Sequence, residues 1–235
     1  ATATAAPASQ LVLTTAPSSS ATNGVALLQQ PVVQLEDAFG NPVAQAGVSV
    51  TVAPSTGGTL VGTTTVATNA GGQASFGGLI LNGLVGSYTL GFSSAGLTGA
   101  TSGSIALGAG AAASVVLTTQ PSSSVSNGSV LAQQPVLRLR DAAGNNVSQA
   151  GVNVAAVLTG SPAGVSLGGT ATVATNSSGI ATFTNLSLTG LVGSYTLGFS
   201  SAGLTGATSG SIALTVGAAT TLALSAGDGQ SATVG

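Results

Sequence analysis

Apolar and polar residues alternate along most of this chain in short runs that are typical of β-strands. Residues 48–52 read Val-Ser-Val-Thr-Val and residues 88–92 read Tyr-Thr-Leu-Gly-Phe. Such a period of two places apolar side chains on one face of an extended segment. Similar runs occur at 152–154 and 195–199. No run keeps the helical period of 3.6, and Gly, Ser and Thr are too frequent for stable helices.

Turn sequences separate these runs. Residues 37–42 read Asp-Ala-Phe-Gly-Asn-Pro, which places Gly and Asn where φ can be positive and Pro at the start of the next strand. Residues 69–72 and 176–179 are predicted turns of the same kind. At Gly77–Gly78 the apolar residues switch from one set of alternating positions to the other, which indicates a bend or bulge. About seven strands in each ~100 residues predict an immunoglobulin-like sandwich of two antiparallel sheets.

The chain contains a tandem duplication, which defines its predicted domains. Residues 13–20 recur as 117–124 with one change, and residues 83–107 recur unchanged as 190–214. The extra residues of the second copy fall near 161–163. The predicted organisation is the tail of a preceding repeat, two Ig-like repeats, and the first strand of an incomplete third repeat. The boundaries are 1–7, 8–108, 109–216 and 217–235.

Three motifs, found in the same order in both repeats, resemble those of bacterial Ig-like domains, group 1. In the first repeat they are Asp-x-x-Gly-Asn-Pro-Val from Asp37, Thr-Asn-x-x-Gly-x-Ala-x-Phe from Thr68, and Gly-x-Tyr-x-Leu from Gly86. The second repeat differs in having Asn146 in place of the turn proline. The resemblance implies the sandwich fold and a bacterial surface protein. In intimin and invasin type adhesins, domains of this family form stalks, and in other surface proteins they are spacers or fibre units.

Charged residues are almost absent, which excludes several kinds of partner. The chain has only two basic residues (Lys plus Arg) and four acidic ones (Asp plus Glu) in 235 residues, far below the usual quarter. With only two basic side chains it cannot neutralise nucleic-acid phosphates or bind an anionic membrane surface. No apolar run approaches the ~20 residues of a membrane span. A weakly charged protein tends to associate with itself, so the expected partner is another copy, in an extracellular or cell-surface location.

The residue types needed for catalysis are missing. The chain has no His and no Cys, and without these or Lys a serine has no activating base. Glu36 and Asp37 are adjacent, so they point to opposite faces of a strand. Calcium needs several carboxylates, whereas the turns that begin at Asp37 and Asp141 have one each. We therefore expect no enzyme, cofactor or metal site, and each Asp to cap its own turn.

Two pairs of equivalent residues are predicted to have structural roles. Gly40 and Gly144 occupy the turns that follow Asp37 and Asp141. Tyr88 and Tyr195 come early in a late strand of each repeat. Each tyrosine is either a core aromatic residue or a tyrosine corner, whose hydroxyl binds the backbone a few residues upstream.

Two features suggest contacts between chains. Gln34 and Glu36 of the first repeat stand where the second repeat has Arg138 and Arg140, so Glu36 could pair with an arginine of a neighbouring chain and fix its register. The alternative is scattered surface charge with a local Arg140–Asp141 contact. A lone strand at 220–225 could complete a sheet in a neighbour; its candidate contact residues are Thr220, Leu222 and Leu224.

The sequence therefore favours two functions. The first is the structural unit of a bacterial extracellular fibre or surface matrix that self-associates. The alternative is the spacer stalk of a large intimin/invasin-like cell-surface adhesin, in which the domains need no partner.

Overall fold

A computed structural model describes residues 6–160, 164–219, 221–222 and 229, and every regular element among them is a β-strand. The strands enclose two separate hydrophobic cores. The first is built from buried residues between Leu11 and Leu107, and the second from residues between Val115 and Leu214. The predicted all-β class with tandem Ig-like sandwiches is therefore confirmed.

The first repeat contains twelve short strands arranged mainly as two facing sheets. The strands are β1 (Gln10–Thr15), β2 (Ser20–Thr22), β3 (Val32–Glu36), β4 (Ser49–Pro54), β5 (Thr59–Val61), β6 (Thr65–Ala67), β7 (Gln73–Ser75), β8 (Ile80–Asn82), β9 (Gly86–Tyr88), β10 (Leu90–Ser93), β11 (Ala100–Thr101) and β12 (Ile105–Gly108). One sheet has the order β1-β3-β7 and the other β11-β10-β4-β6. Two smaller sheets have the orders β2-β12-β9 and β5-β8.

The second repeat has the same pairings in eleven strands. They are β13 (Ser114–Thr119), β14 (Ser124–Ser126), β15 (Val136–Arg140), β16 (Asn153–Thr159), β17 (Val165–Gly168), β18 (Thr172–Ala174), β19 (Ile180–Thr182), β20 (Ser187–Gly190), β21 (Gly193–Ser201), β22 (Leu204–Thr208) and β23 (Ile212–Thr215). The pairing β13-β15-β19 repeats β1-β3-β7. Both repeats also have the same irregularity in strand pairing, because the register shifts after Leu13 in β1 and after Leu117 in β13.

The strands are shorter and more numerous than the predicted seven per repeat. The single strand β21 of the second repeat corresponds to two strands, β9 and β10, in the first. The turns also differ from expectation in one detail. Gly40 has a φ of 82° as predicted, but none of the described residues other than glycine has a positive φ, so Asn41 does not use the left-handed region and its side chain has another role.

Each core is closed by a pair of phenylalanines from the two facing sheets. Phe76 and Phe92 have ring centroids 5.5 Å apart, and Phe183 and Phe199 have centroids 5.6 Å apart. The rings are tilted by 56° and 54° to each other, and such non-sandwich aromatic pairs contribute about 1 kcal/mol beyond burial. Gly78 turns the chain with a φ of 66°. The strict alternation of inward and outward side chains is therefore interrupted at Gly77–Gly78, and Phe76, Leu79 and Leu81 are all buried.

Replacement of Gly72 by alanine should destabilise the first repeat strongly. Gly72 has a φ of 77°, and a Cβ there would overlap the carbonyl oxygen of Val43. Gly24 is a matched control, with the same φ of 77° and no atom within 4 Å of the added Cβ. Gly24→Ala should cost about 1 kcal/mol of backbone strain, and Gly72→Ala about 3 kcal/mol or more because overpacking is added. Urea unfolding measures both, and equal losses would contradict the prediction.

Candidate functional site: the junction between the repeats

An aspartate organises the turn that faces the preceding segment in each repeat. In the second repeat, Asp141 Oδ1 accepts hydrogen bonds from the backbone N–H groups of Ala143 (3.0 Å) and Asn145 (2.8 Å). Its Oδ2 accepts one from the N–H of Gly110 (2.9 Å), in the connection between the repeats. One carboxylate therefore fixes both the turn at 141–145 and the chain that enters the repeat. We call residues 37–41 and 141–145 the clamp turns.

The clamp turn of the first repeat has the same hydrogen bonds. Asp37 Oδ1 accepts from the N–H groups of Phe39 and Asn41, both at 2.9 Å. Asp37 Oδ2 accepts from the N–H of Ala6 at 3.0 Å. Ala6 thus takes the place that Gly110 takes in the second repeat.

Asn145 joins the two repeats through its side-chain amide. Its Nδ2 donates to Asp141 Oδ2 (3.0 Å) within the turn and also to the carbonyl oxygen of Gly83 (3.0 Å) in the first repeat. Its Oδ1 accepts the N–H of Val85 at 2.8 Å. A single amide therefore satisfies one acceptor and one donor of the neighbouring backbone, which fixes the two repeats relative to each other.

The loop that receives Asn145 is held rigidly by the first repeat itself. Asn23 Nδ2 donates to the Gly83 carbonyl (2.6 Å), and Asn23 Oδ1 accepts the Gly83 N–H (3.1 Å). The Tyr88 hydroxyl donates to the carbonyl of Leu84 at 2.8 Å. We call residues 83–85 and their equivalents 190–192 the receiving loops. This loop is already shaped to accept the clamp.

The connection between the repeats passes closely over Asn23. The backbone N–H of Asn23 donates to the carbonyl of Gly108 at 3.1 Å. A Cβ on Gly110 would lie 2.5 Å from the carbonyl oxygen of Asn23, so only glycine fits between the linker and the first repeat without a shift. The linker is therefore packed against protein and does not act as a free tether.

A cavity of about 550 Å³ lies beside this junction. The first repeat contributes Asn23, Val25 and Thr59 to its lining, and the second contributes Asp141 and Ala143. The Asp141 oxygens that would attract a cation are already occupied by N–H donors. Among the residues that the structure describes, no three carboxylate, His or Cys side chains group together as metal ligands.

The two clamp turns differ in exposure because, within the part of the chain that the structure describes, only the second is covered by another repeat. Asn145 is 7% exposed beneath the receiving loop of the first repeat. Asn41, which makes the same contacts with its own aspartate, is exposed. The difference comes from the presence of a partner, since the two turns have the same internal hydrogen bonds.

Hydrogen bonding keeps both aspartates ionised in acid. The side chain of Asn41, followed by backbone N–H donors, lowers the pKa of Asp37 from 3.8 to about 2. Burial alone would raise the pKa of Asp141, but the hydrogen bonds from Asn145, Gly110 and Ala143 outweigh it and hold this pKa below its ordinary value. Each carboxylate therefore stabilises its turn as an anion.

Of the other residues singled out in the sequence, Arg140 lies next to the junction, where it lines a pocket with Val85 and Asn145. Arg138 and Arg140 lie on β15 with their Nε atoms buried and without a hydrogen-bond partner among the described residues. Arg140 Nη1 donates to the Gly144 carbonyl at 3.3 Å. The alternative stated from the sequence was a local contact between Arg140 and Asp141, whereas the contact observed is with the backbone of the turn. Glu36 is half-buried at the end of β3, and its pairing with an arginine across chains stays a prediction.

The remaining predicted residues have simpler positions. Tyr88 and Tyr195 are both core residues and bonded corners, because they are 7% and 6% exposed and their hydroxyls reach the carbonyls four residues upstream. Gly144 turns with a φ of 86°. Leu222 is fully exposed, whereas Thr220 and Leu224 lie outside the described residues.

Sequence reasoning missed the junction amide and the loop it binds. It predicts only a turn role for Asn145, and it treats Gly83 and Val85 only as part of the duplicated segment. One signal was present, since an asparagine occurs at the same turn position in both repeats and residues 83–107 are duplicated unchanged. The partner groups are backbone atoms 60 and 62 residues away, and no side-chain pattern marks them.

The fold and the junction define a protein of tandem immunoglobulin-like repeats. In agreement, residues 6–104 match the family model of the Ig-like domain 6 of SMCHD1. A comparison with curated proteins finds no match. Within the described residues, no helix has the length and apolar character needed to cross a membrane.

Solved structures similar to this chain include adhesins and enzymes. The adhesin InvE of Yersinia pseudotuberculosis is 17% identical over 88% of this chain and 59% of its own, with a TM-score of 0.37. The Escherichia coli adhesin FdeC is 18% identical over 90% of this chain and 65% of its own (TM-score 0.39). A Bacteroides vulgatus β-glycosidase is 16% identical over 89% and 25% (TM-score 0.33). This chain thus spans less than two thirds of each of these proteins, and at these TM-scores the likeness carries no information about function.

Acid should destabilise the protein through its two clamp aspartates. Because the pKa of Asp37 is lowered from 3.8 to about 2, its contribution is complete above pH 3.8 and is lost as the pH falls towards 2. The pKa of Asp141 is lowered too, so its contribution is lost in the same direction. The melting temperature should stay level from neutral pH to about pH 5 and then fall.

The matched variant for this prediction is the double substitution Asp37→Asn, Asp141→Asn. It keeps the size of both side chains and removes the titrating groups. Calorimetry should find a lower melting temperature at neutral pH and a flatter profile between about pH 4 and 2. If the melting temperature of the double variant fell as steeply in acid as that of the parent chain, groups other than these two aspartates would be responsible.

Proposed function

We propose that this chain is a spacer segment of a bacterial extracellular surface protein, in which the junction holds successive Ig-like repeats at a fixed angle. We propose the repeat boundaries 8–108 and 109–216. The observation that supports this function most directly is the bridge from the Asn145 amide to the backbone of Gly83 and Val85. A spacer keeps its ends apart only if its joints do not fold back.

Three bonds restrain this joint. Two come from Asn145, and the third links Asp141 to Gly110 in the linker. A net hydrogen bond contributes about 1 kcal/mol, and one to a charged group about 2 kcal/mol. Together these bonds oppose the bending that a short linker alone would allow.

The composition fits an exposed position outside the cell. The polar surface consists mainly of Ser, Thr, Asn and Gln, and the formal net charge is only −2. The contacts within and between such repeats change little with ionic strength, because few of them depend on paired charges. The sequence motifs that resemble bacterial Ig-like domains, group 1, support a stalk of the intimin and invasin type.

A self-associating extracellular fibre is the second candidate function. The observations that favour it are the small formal net charge of −2, which gives copies of the chain little mutual repulsion, and the exposed side chains of Phe39 and Asn41 on the first repeat. In both functions the domains are structural and the chain has no catalytic role.

Replacement of Asn145 by alanine should loosen the joint. The chain has no cysteine, so Ser75→Cys and Thr182→Cys, at exposed equivalent positions in β7 and β19, can carry two spin labels. Pulsed electron resonance should give one narrow distance distribution in the parent chain. Asn145→Ala should broaden it, because two bonds worth about 2 kcal/mol are lost.

Asn41→Ala is the matched control. It removes the same contacts with the turn aspartate but leaves the junction unchanged, so its distance distribution should stay narrow. A distribution as broad in the parent chain as in Asn145→Ala would rule out a rigid spacer.

A further inference from the structure

In both repeats an early strand runs beside the last strand in the same direction. In the first repeat β2 pairs in parallel with β12, and in the second repeat β14 pairs in parallel with β23. We call each of these two parallel pairs the terminal seam of its repeat. The chain enters each repeat ahead of the first strand of the terminal seam and leaves it after the second strand, so a pull along the spacer reaches the terminal seam directly.

The direction of the strands determines how a terminal seam resists such a pull. The force draws β2 towards its own N-terminal end and β12 towards its C-terminal end, while β1 is drawn along β3 in the same direction as β2. Because β2 and β12 are parallel, they must slide past each other. The evenly spaced hydrogen bonds of a parallel pair are then loaded together, whereas those of a hairpin pulled open from its free ends break one after another.

The backbone hydrogen bonds of the two terminal seams are equivalent. Each terminal seam has three paired positions. One further backbone bond flanks it on either side, at 2.9 and 3.1 Å in the first repeat and at 2.8 and 3.0 Å in the second. The donors are Ala106 and Asn23 in the first repeat and Ala213 and Asn127 in the second. A difference in resistance between the repeats must therefore come from side chains.

Two side-chain hydrogen bonds reinforce only the terminal seam of the second repeat. Gln120 Oε1 accepts the N–H of Gly210 at 3.0 Å, just ahead of β23, and the equivalent of Gln120 in the first repeat is Ala16. The Thr215 hydroxyl donates to a backbone carbonyl of β14 at 3.3 Å, and its equivalent is Gly108. Alanine and glycine have no side-chain group that could make these bonds.

The packing of the two terminal seams differs in the same direction. Val125 in β14 is 7% exposed and belongs to the core of the second repeat. Its equivalent in β2 is Ala21, which is only partly buried. Sliding of β14 therefore exposes more apolar surface to water than sliding of β2 does.

The junction between the repeats does not reverse this difference. Asn145 binds the first repeat at Gly83 and Val85, in a loop that lies ahead of β9 and outside the terminal seam. These bonds restrain the angle between the repeats, and they add nothing to the bonds between β2 and β12.

We propose that the chain transmits tension along its length and that its repeats open in a fixed order, the first by separation of β2 from β12 and then the second by separation of β14 from β23. The first repeat then acts as an extensible element, while the second keeps its fold at forces that have already opened the first. Opening of a repeat lengthens the chain by about 30 nm. This inference rests on the proposed spacer function and adds a mechanical role to it.

The test is single-molecule force spectroscopy on the full chain, held by tags added to its two ends. The parent chain should lengthen in two steps of about 30 nm each, at clearly different forces. At one constant force the two unfolding rates should differ about tenfold or more, because forced unfolding follows the unfolding rate and each additional hydrogen bond slows it several-fold. Two steps with equal rates would overturn the proposal.

Exchange of the distinguishing residues tests whether they set the order. Gln120→Ala, Val125→Ala and Thr215→Gly together give the second repeat the residues that the first has at these positions, so the two rates should agree within about threefold. In the reverse direction, Ala16→Gln with Ala21→Val should slow the faster step by about fivefold or more. If the triple variant kept the slow step of the parent chain, the order would not depend on the terminal seam and the proposal would be wrong.

Gln134→Ala is the matched control, because Gln134 is a glutamine of the second repeat that lies outside the terminal seam. Its side chain bonds the backbone of Leu131 and Leu186, and these bonds are still intact when the strands begin to slide. Gln134→Ala should lower the melting temperature and leave both rates under force unchanged. Equal acceleration by Gln134→Ala and Gln120→Ala would contradict the terminal seam as the site of resistance.

The mechanical order and the rigid spacer fail in different experiments. A flexible joint would show as a broad spin-label distance distribution in the parent chain at rest, with the two unfolding steps still separate. A rigid joint with two equal unfolding steps would overturn only the mechanical order. Melting temperatures verify that each variant is folded before force is applied.

Discussion

The carboxylate of Asp141 is the group on which the arrangement of the two repeats depends. It receives the N–H of Gly110 from the linker, two N–H groups of its own turn, and the amide of Asn145. Hydrogen bonds to an anion are stronger than those between neutral groups. The same carboxylate thus binds the linker that enters the second repeat and orients the Asn145 amide that binds the first repeat. The amide could not bridge Gly83 and Val85 if the turn beneath it were loose.

A surface with so few charges must obtain specificity from hydrogen-bond geometry. Asn145 recognises one carbonyl and one N–H at a fixed separation in the receiving loop, and such a pair rejects any loop that does not present both groups. Because the recognised atoms belong to the backbone, the side chains at Leu84 and Val85 stay 64% and 57% exposed. The joint therefore needs a precise loop shape, which Asn23 and Tyr88 provide, and little apolar burial.

The fold could be predicted from the sequence, because alternation, turn residues and the duplication all act locally. The strand count was less predictable, since the same residues Gly-Ser-Tyr-Thr-Leu-Gly-Phe form one strand in β21 and two in β9 and β10. The junction could not be predicted, because its partner groups are distant backbone atoms. The interpretation of Asn145 as a turn residue was incomplete. The residue does bind its turn, and the same amide also binds the neighbouring repeat.

The difference between Phe39 and Ala143 is informative because the surrounding turns are so similar. The covered turn has the small residue, and the uncovered turn has an aromatic ring that is 85% in contact with water. Ala143 lines the cavity beside the joint, so the residue at this turn position determines how much space remains between two joined repeats. A larger side chain there would occupy part of that space.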